Sequence, residues 1–542
     1  MLKILKFLCS YKYTLICSFY LGGICYLFDK NFLTSFYGLL IILNIVSILI
    51  IINILGRIKY TFFVTFIFSF FIAFDAYFAY AYHNPIFLGG LASIFETNLS
   101  EAKEALGQVV FPATIIFLLS FFLIFMSQRE LKKSQLLLKK SIILLTVYLI
   151  IIIPVSYFFI ISKVERLRQE FPANPILTLQ RLSLQTLPLV YNDWLTFIAY
   201  RQEMSKFHKY GKEKRVLPNG IYLNKNNLSP EKIFLIIGES SWRKHYSLYG
   251  YSIITTPFLD SLNKEKNVDF KYYDAISPAP ITREALRIVL SFSTQFTIQP
   301  FFREKNIVEL ANDAGYETIW ISNQDQIGMF ESYVGFISSG ATEQYFPESQ
   351  VRNKKNHDLV LLNILKKNYN KKKKQFFVIH LMGSHILYNE RYDSADMKAI
   401  KKSEDFFTID YDRSIHQTDR VLRGVNNLMK NSSSSLMIYF SDHGEKIGKG
   451  HGFMEDGTPQ FEIPYITVNK SNFDVDNVIL KYINKNTRLL NSSCSIYVLA
   501  EALGYHVPDK YKKQAIYEGR YIFHVDSQVY PYSKIQREDN RL

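Results

Sequence analysis

Hydrophobic positions are distributed unevenly along the chain, and the first third is far more apolar than the rest. Five apolar stretches occur there, each close to or longer than the roughly 20 residues that cross a bilayer as a helix. They lie at about 7–28, 32–55, 60–82, 109–126 and 141–161. This pattern predicts a five-helix transmembrane domain over residues 1–162.

Basic residues in the short connections indicate the orientation of these stretches. Lys3 and Lys6 precede the first stretch, Arg57 and Lys59 separate the second from the third, and a basic cluster at 129–140 separates the last two. By the positive-inside rule the N-terminus is cytoplasmic, and an odd number of spans places everything after about residue 162 outside. Residues 163–230 are mixed apolar and basic, which predicts a bridging segment with a helix on the membrane surface.

From about residue 231 the pattern changes to short β-rich runs that alternate with helical stretches. Buried-strand runs occupy 233–237, 376–381 and 436–440, with a weaker run at 317–321, and helical patterns fall at 304–314 and 357–367. This alternation predicts an α/β domain with a largely parallel sheet over residues 231–542. In such sheets, ligands bind beyond the carboxyl ends of the strands.

The three stronger strand runs each end in polar residues, with GES at 238–240, GSH at 383–385 and SDHG at 441–444. Glu239, Asp442 and His443 offer oxygen and imidazole donors without a thiolate. This donor set suits Zn²⁺, with Mn²⁺ or Mg²⁺ as alternatives, and the residues leave open whether one or two ions bind.

Three hydroxyl side chains compete for the role of nucleophile. Ser240 and Ser241 follow the glutamate directly, and Thr282 precedes a helical pattern at 283–293. A hydroxyl at a helix start also serves as a helix cap, so the residues alone leave the choice among the three open.

The net charge and the cysteine positions exclude some classes of partner and of covalent cross-link. The net charge is +15, but much of the excess lies in the membrane-flanking clusters and in a lysine-rich run at 366–374, so we expect no nucleic-acid partner. Three of the four cysteines fall inside the first apolar stretch. The exported part contains only Cys494, and an internal disulfide there is excluded.

Four motifs, in this order after the apolar stretches, resemble those of the lipid-linked phosphoethanolamine transferases: GES…SLYGY, SPAPITR, HLMGSH and SDHGE…GHG. This family belongs to the alkaline phosphatase and sulfatase superfamily. The SPAPITR and SLYGY motifs look closer to the lipopolysaccharide-core branch than to the lipid A branch associated with polymyxin resistance. The resemblance implies an alkaline-phosphatase-like domain in the periplasm, anchored as a monomer in a bacterial inner membrane.

The resemblance also implies an activity. Phosphoethanolamine would pass from phosphatidylethanolamine, through a covalent phospho-threonine, to a lipopolysaccharide core sugar, lipid A or another surface glycan. Thr282 matches the nucleophile of the family, which also binds the metal with Glu239, Asp442 and His443. His385 and His451 match two histidines around the phosphate.

Four further positions match residues of the family that contact substrate. Asn323 matches an asparagine near the phosphoethanolamine group. Ser93, Thr97 and Glu101, around the FET…E sequence of an outer loop, match positions that face the lipid head group.

Three alternatives remain beside this interpretation. A glycerol-phosphate transferase of the lipoteichoic acid synthase type shares the spans and the threonine but uses phosphatidylglycerol. A sulfatase-like hydrolase is less consistent, because Ser277 is followed by Pro278-Ala279 and not by the motif needed for formylglycine formation. A binding protein with an inactive site would lack at least one metal ligand, and all of them are present.

Overall fold

The computed structural model describes residues 10–28, 49–54, 56, 61–82, 86, 88, 90–92, 99–132, 140, 142–144, 146–147, 150–151, 154, 176, 189–224, 226–324, 332–346, 358–403, 405–454, 457–525 and 528–539. The chain divides into two compact units, Met1–Glu203 and Met204–Leu542.

The first unit contains long apolar helices. Helices α1 (Lys12–Phe28), α2 (Thr61–Tyr82) and α3 (Leu99–Lys132) coincide with the predicted spans at 7–28, 60–82 and 109–126. A buried cluster joins them through residues such as Cys17, Ile72 and Ile124. Helix α4 (Leu189–Tyr210) follows, within the predicted bridging segment.

Two segments of the described residues, Thr61–Phe78 and Val110–Lys132, are long and apolar enough to cross a membrane. The predicted spans at 32–55 and 141–161 lie largely outside the described residues. Two helices of this unit are thus candidate membrane spans by length and composition, and the number of five stays a prediction.

The second unit is built of short strands and helices in alternation. Its strands are β1 (Tyr222–Leu223), β2 (Lys232–Gly238), β3 (Asp269–Ile276), β4 (Glu317–Ser322), β5 (Glu343–Tyr345), β6 (Gln375–His380), β7 (Ser435–Ser441), β8 (Glu462–Asn469), β9 (Leu490–Asn491), β10 (Tyr505–His506), β11 (Tyr521–Phe523) and β12 (Val529–Pro531). Its α-helices are α5 (Pro257–Lys264), α6 (Thr282–Val289), α7 (Gln299–Arg303), α8 (Ile307–Asp313), α9 (Tyr333–Ser338), α10 (Leu361–Asn368), α11 (Ser394–Ala399), α12 (Phe406–Met429), α13 (Val475–Leu480), α14 (Ser495–Ala502), α15 (Asp509–Glu518) and α16 (Tyr532–Asp539).

Eight strands form one mixed sheet in the order β5-β4-β6-β2-β7-β8-β3-β9. Neighbours from β5 to β7 run parallel, as do β3 and β9, whereas β8 is antiparallel to both β7 and β3. The prediction of a largely parallel sheet holds for the half that contains the predicted strands. Strand β8 is antiparallel to both of its neighbours, so β7 and β3 on either side of it run in the same direction. Strands β3 and β9 therefore end at the same edge of the sheet as β2 and β7.

The core lies on both faces of the sheet. Ile233, Leu235 and Ile237 of β2 pack into one buried cluster, whereas the alternating Phe234 and Ile236 pack into the other. Since successive strand residues point to opposite faces, a continuous apolar run such as this one is what a strand covered by helices on both sides requires.

Candidate metal centre and nucleophile

The register of the central strands brings the predicted polar residues to one edge of the sheet. Ile237 of β2 lies opposite His380 of β6 and Phe440 of β7, so the segments after these three strands emerge side by side. The Asp442 amide donates to the Gly238 carbonyl at 3.1 Å, which joins the turn after β7 to the turn after β2. Strand-end ligands that are distant in sequence thereby become neighbours.

The turn after β6 approaches Glu239 very closely. A Cβ atom at Gly383, whose φ is +53°, would lie 2.7 Å from both the backbone nitrogen and the backbone oxygen of Glu239. Only glycine therefore fits here. The Ser384 amide then donates to the Glu239 carbonyl at 2.9 Å, which holds the segment leading to His385 against the site.

Glu239, Asp442, His443 and Thr282 converge on one point. Nε2 of His443 lies 3.2 Å from Oε1 of Glu239 and 3.3 Å from Oδ2 of Asp442. The Thr282 hydroxyl lies 3.1 Å from Oε2 of Glu239 and 3.2 Å from Nε2 of His443. Glu239, Asp442 and His443 are buried, whereas Thr282 is partly exposed. The hydroxyl is therefore the member of the group that a substrate can reach.

The Thr282 hydroxyl does not cap its helix. Thr282 is the first residue of α6, the capping position is occupied by Ile281, and no side-chain cap bond is made there. Of the competing serines, Ser241 lies 2.9 Å from the Tyr246 hydroxyl within the core, and Ser240 donates to Oε1 of Glu239 at 2.8 Å. These contacts favour Thr282 as the nucleophile and give both serines supporting roles.

Helix α6 is anchored by a buried ionic network that sequence reasoning missed. Glu284 accepts from Arg283 through one oxygen and from Arg287 through the other, both at 2.8 Å. The Arg283 guanidinium lies over the Tyr333 ring, 4.1 Å from its centroid. Because all three charges are buried and paired, the network holds the first turn of the helix, and Thr282 with it, in one orientation.

One carboxylate oxygen of the site has no hydrogen-bond partner among the described residues and could bind a metal. Oδ2 of Asp442 is buried and receives no hydrogen bond from the described residues. Burial raises the pKa of Asp442 well above its usual range, and the charge of Glu239 raises it further. Burial also raises the pKa of Glu239, but His443 lowers it to well below that of an ordinary glutamate. Two buried carboxylates competing for one positive neighbour fit a divalent cation, whose charge would stabilise both in the ionised form.

His451 lies closer to this group than the sequence implied. One ligand atom each from Glu239, His443 and His451 lies within 4.8 Å of the others, an arrangement that could hold a metal. Nδ1 of His451 lies 2.8 Å from Oε2 of Glu445, which is buried. Since a carboxylate behind a histidine fixes the orientation of its ring, Glu445 positions His451, and sequence reasoning did not single it out.

His385 lies on the other side of His451, with 6.2 Å between their ring centroids. Its Nδ1 atom is buried and has no hydrogen-bond partner among the described residues. Burial lowers the pKa of His385 to about 4, so its imidazole is neutral near pH 7. A neutral imidazole can accept a proton or bind a cation.

At the end of β4, Asn323 stays a predicted substrate contact, and the structure adds Gln324 to the site. The Asn323 amide donates to the buried Asp358 at 2.8 Å, an interaction within the protein. The next residue, Gln324, donates to Oε2 of Glu239 at 2.9 Å and so contacts the site. Its position two residues after a strand of the same sheet is the signal that could have identified it.

The predicted lipid-contact residues give no geometry. Ser93 and Thr97 lie outside the described residues, and Glu101 falls in α3 with a side chain that is also outside them.

Comparison with known proteins agrees with this architecture. Residues 231–492 match the family model described as Sulfatase. The phosphoethanolamine transferase EptC of Escherichia coli (strain K12) is 26% identical over 311 residues, covering 53% of this chain and 54% of that protein. The chain thus spans about half the length of this curated relative in the match.

Two solved structures share the fold. The integral membrane protein lipooligosaccharide phosphoethanolamine transferase A (EptA) from Neisseria meningitidis has a TM-score of 0.58 at 16% identity, covering 92% of this chain and 97% of that one. The C-terminal periplasmic domain of EptC from Escherichia coli in complex with Zn has a TM-score of 0.50 at 22% identity, covering 59% and 97%.

Proposed function

We propose that this chain, whose residues 231–492 match the family model described as Sulfatase, is a metal-dependent phosphoethanolamine transferase of a bacterial inner membrane. The donor is phosphatidylethanolamine, and the acceptor is a lipopolysaccharide core sugar, lipid A or another envelope glycan. The observation that carries the proposal is the partly exposed Thr282 hydroxyl, held 3.1 Å from Glu239 and 3.2 Å from His443. Phosphoethanolamine transfer is the activity in the name of the EptC relative.

Glu239, Asp442, His443 and Thr282 would hold the metal. Their oxygen and imidazole donors, together with the zinc complex of the EptC domain, favour Zn²⁺ over Mn²⁺ or Mg²⁺. His451 extends the donor set toward a second ion. When bound, the cation stabilises negative charge on phosphoryl oxygens and favours the deprotonated form of a bound hydroxyl.

In the first step, Oγ1 of Thr282 attacks the phosphorus of phosphatidylethanolamine. A bond from Oγ1 to phosphorus forms, and the bond from phosphorus to the diacylglycerol oxygen breaks. The Thr282 proton passes to a nearby base, and diacylglycerol leaves after taking up a proton. Thr282 then carries phosphoethanolamine as a phosphodiester.

In the second step, an acceptor hydroxyl or phosphate oxygen attacks the same phosphorus. The bond to Oγ1 breaks, and the Thr282 oxygen regains a proton. His385, whose buried Nδ1 atom has no hydrogen-bond partner among the described residues, would accept the proton of an acceptor hydroxyl. His451, oriented by Glu445 at 2.8 Å, is suited to stabilise charge at the phosphoryl group.

The apolar helices would hold the enzyme in the membrane that contains its lipid donor. Donor and acceptor are both anchored at the outer surface of the inner membrane, so an enzyme tethered there searches in two dimensions. We propose that Ser93, Thr97 and Glu101 contact the lipid head group, that Asn323 acts through Asp358 on the substrate site, and that the chain works as a monomer.

Diacylglycerol release from defined lipids tests the proposal. The full-length protein, loaded with Zn²⁺ in nanodiscs, should release diacylglycerol from phosphatidylethanolamine, and the Thr282→Ala variant should not. The Thr282→Ser variant keeps a hydroxyl and is the matched control, for which we expect partial activity. Equal release by Thr282→Ala would refute the nucleophile, and a preference for phosphatidylglycerol would support the glycerol-phosphate alternative.

A further inference from the structure

A cavity of about 200 Å³ lies in the second unit, apart from the metal centre. Its lining includes Ile276 at the end of β3, Asn491 at the end of β9, the loop 484–489, the turn at Gly519–Arg520 and the first residues of α16. None of these residues belongs to the ligand and nucleophile set described above.

The cavity lies at the sheet edge where the metal ligands emerge. Ile276 and Asn491 are paired residues of two parallel strands that end at the edge where Glu239 and Asp442 emerge. Thr282 follows Ile276 by six positions along the chain, so their Cα atoms are at most roughly 20 Å apart. The Phe523 amide, at the end of β11, donates to the Pro278 carbonyl at 2.7 Å, which joins the wall of the cavity to the loop that carries Thr282.

The lining combines ring faces with hydrogen-bonding groups. Tyr482, Tyr521 and Tyr532 contribute aromatic surface, and Asn484 and other polar side chains contribute amides and hydroxyls. Largely apolar walls with a few placed polar groups are typical of small-ligand sites. A saccharide ring matches such a lining, because its C–H faces pack on aromatic rings while its hydroxyls reach the polar groups.

Arg520 adds a fixed positive charge at this cavity. Asn491 donates to the Gly519 carbonyl at 3.1 Å and to the Tyr521 carbonyl at 3.3 Å, and the Tyr532 amide donates to the Arg520 carbonyl at 2.9 Å. The exposed guanidinium lies 4.4 Å from the Tyr517 ring centroid, and no ion pair joins it to an acidic side chain among the described residues. The loop 484–489 carries two more cations, Lys485 and Arg488.

We infer that this cavity is an acceptor subsite, which binds one sugar ring of a phosphorylated oligosaccharide and sets its anionic group against Arg520. The inference rests on the proposed function, because the second step needs a glycan held near the phospho-threonine. It specifies the acceptor as a saccharide that carries negative charge.

Binding of defined probes to the full-length Zn²⁺-loaded protein in nanodiscs tests this inference by calorimetry. The probes are deacylated lipopolysaccharide as a phosphorylated oligosaccharide, the same material after dephosphorylation, inorganic phosphate and dodecanoate. We expect the phosphorylated oligosaccharide to bind most tightly. Arg520→Gln should weaken it by roughly tenfold, the scale of one lost charge-assisted contact, and Asn484→Asp should weaken it in the same direction by adding a negative charge.

Lys513→Glu is the matched control, because Lys513 is exposed on α15 but does not line the cavity. Unaltered affinity in both Arg520→Gln and Asn484→Asp, with melting temperatures near that of the wild type, would overturn the inference. Binding of dodecanoate that is tighter than binding of the phosphorylated oligosaccharide would also overturn the inference, because it would assign the cavity to an acyl chain. Tighter binding of inorganic phosphate would overturn it as well, because the cavity would then recognise the anion without a sugar ring. Formation of the Thr282 adduct without oligosaccharide binding would reject the subsite and keep the proposed function. Oligosaccharide binding without any Thr282 adduct would reject the proposed function, and the acceptor role of the cavity with it.

Discussion

Asp358 gives the sharpest prediction about how the site is supported. This buried carboxylate accepts hydrogen bonds from the Asn323 amide at 2.8 Å, the Met382 amide at 2.9 Å and the Gly383 amide at 2.8 Å. Two of these donors belong to the turn that packs against Glu239 and leads to His385. Asp358 therefore holds that turn in place from behind.

The Asp358→Ala substitution leaves three buried donors without their acceptor. Each unsatisfied donor costs about 1–3 kcal/mol, so we expect a loss of roughly 3–6 kcal/mol after some water enters. At about 2 °C per kcal/mol for a large domain, the melting temperature should fall by roughly 6–12 °C. Diacylglycerol release should fall as well, because the His385 turn loses its support.

Thermal unfolding followed by circular dichroism measures the loss of stability. Diacylglycerol release, assayed well below the melting temperature, measures the loss of activity. Asp274→Ala is the matched control, since Asp274 is 66% exposed and lies 3.4 Å from Nε of Arg243. Such a surface pair contributes about 1 kcal/mol or less. If Asp358→Ala lowered the melting temperature no more than Asp274→Ala and kept full activity, the assigned role of Asp358 would be wrong.

Three further substitutions test separate parts of the account. Ser277→Ala should reduce activity but still allow the adduct on Thr282, because the fully buried Ser277 hydroxyl shares its one hydrogen between the carbonyls of Asp442 and Ala279; an adduct-free variant in the mass spectrum would contradict this. Glu445→Gln should lower kcat by about tenfold with little change in KM, since the charge that orients His451 is lost; a change in KM alone would contradict it. Burial raises the pKa of Asp419 to about 7. The contribution of Asp419 to stability is therefore present at acid pH and is lost as pH rises toward and through 7. Asp419→Asn should flatten that part of the profile of unfolding free energy against pH, and an unchanged profile would refute the shift.

The strand ends could be predicted because their signal is local. Continuous apolar runs become buried parallel strands, and the structure extends the runs at 233–237 and 436–440 by only a residue or so at each end. Parallel strands end at one edge, so Glu239, Asp442 and His443 had to meet. The helices predicted at 304–314 and 357–367 are also found, but both are shorter than predicted. In the structure they run over Ile307–Asp313 and Leu361–Asn368.

What the sequence could not supply depends on tertiary contacts. Strand β3 reads DFKYYDAI and is half exposed, so it lacks the apolar run that marked its neighbours. The proximity of His451 to His443, with 4.0 Å between ring centroids, arises from the path of a loop. Likewise, Asn323 and Gln324 are adjacent amides, and only the fold decides that one bonds to Asp358 and the other to Glu239.

The most direct test of the central claim is the mass of the peptide that contains Thr282. The Zn²⁺-loaded full-length protein is incubated with phosphatidylethanolamine without acceptor, quenched in acid and digested. We expect a phosphoethanolamine adduct on Thr282, which does not form when the metal is chelated before the incubation and which disappears on addition of acceptor glycan. An adduct on Ser240 or Ser241, a glycerol-phosphate adduct formed only from phosphatidylglycerol, or no adduct on the metal-loaded protein would contradict it.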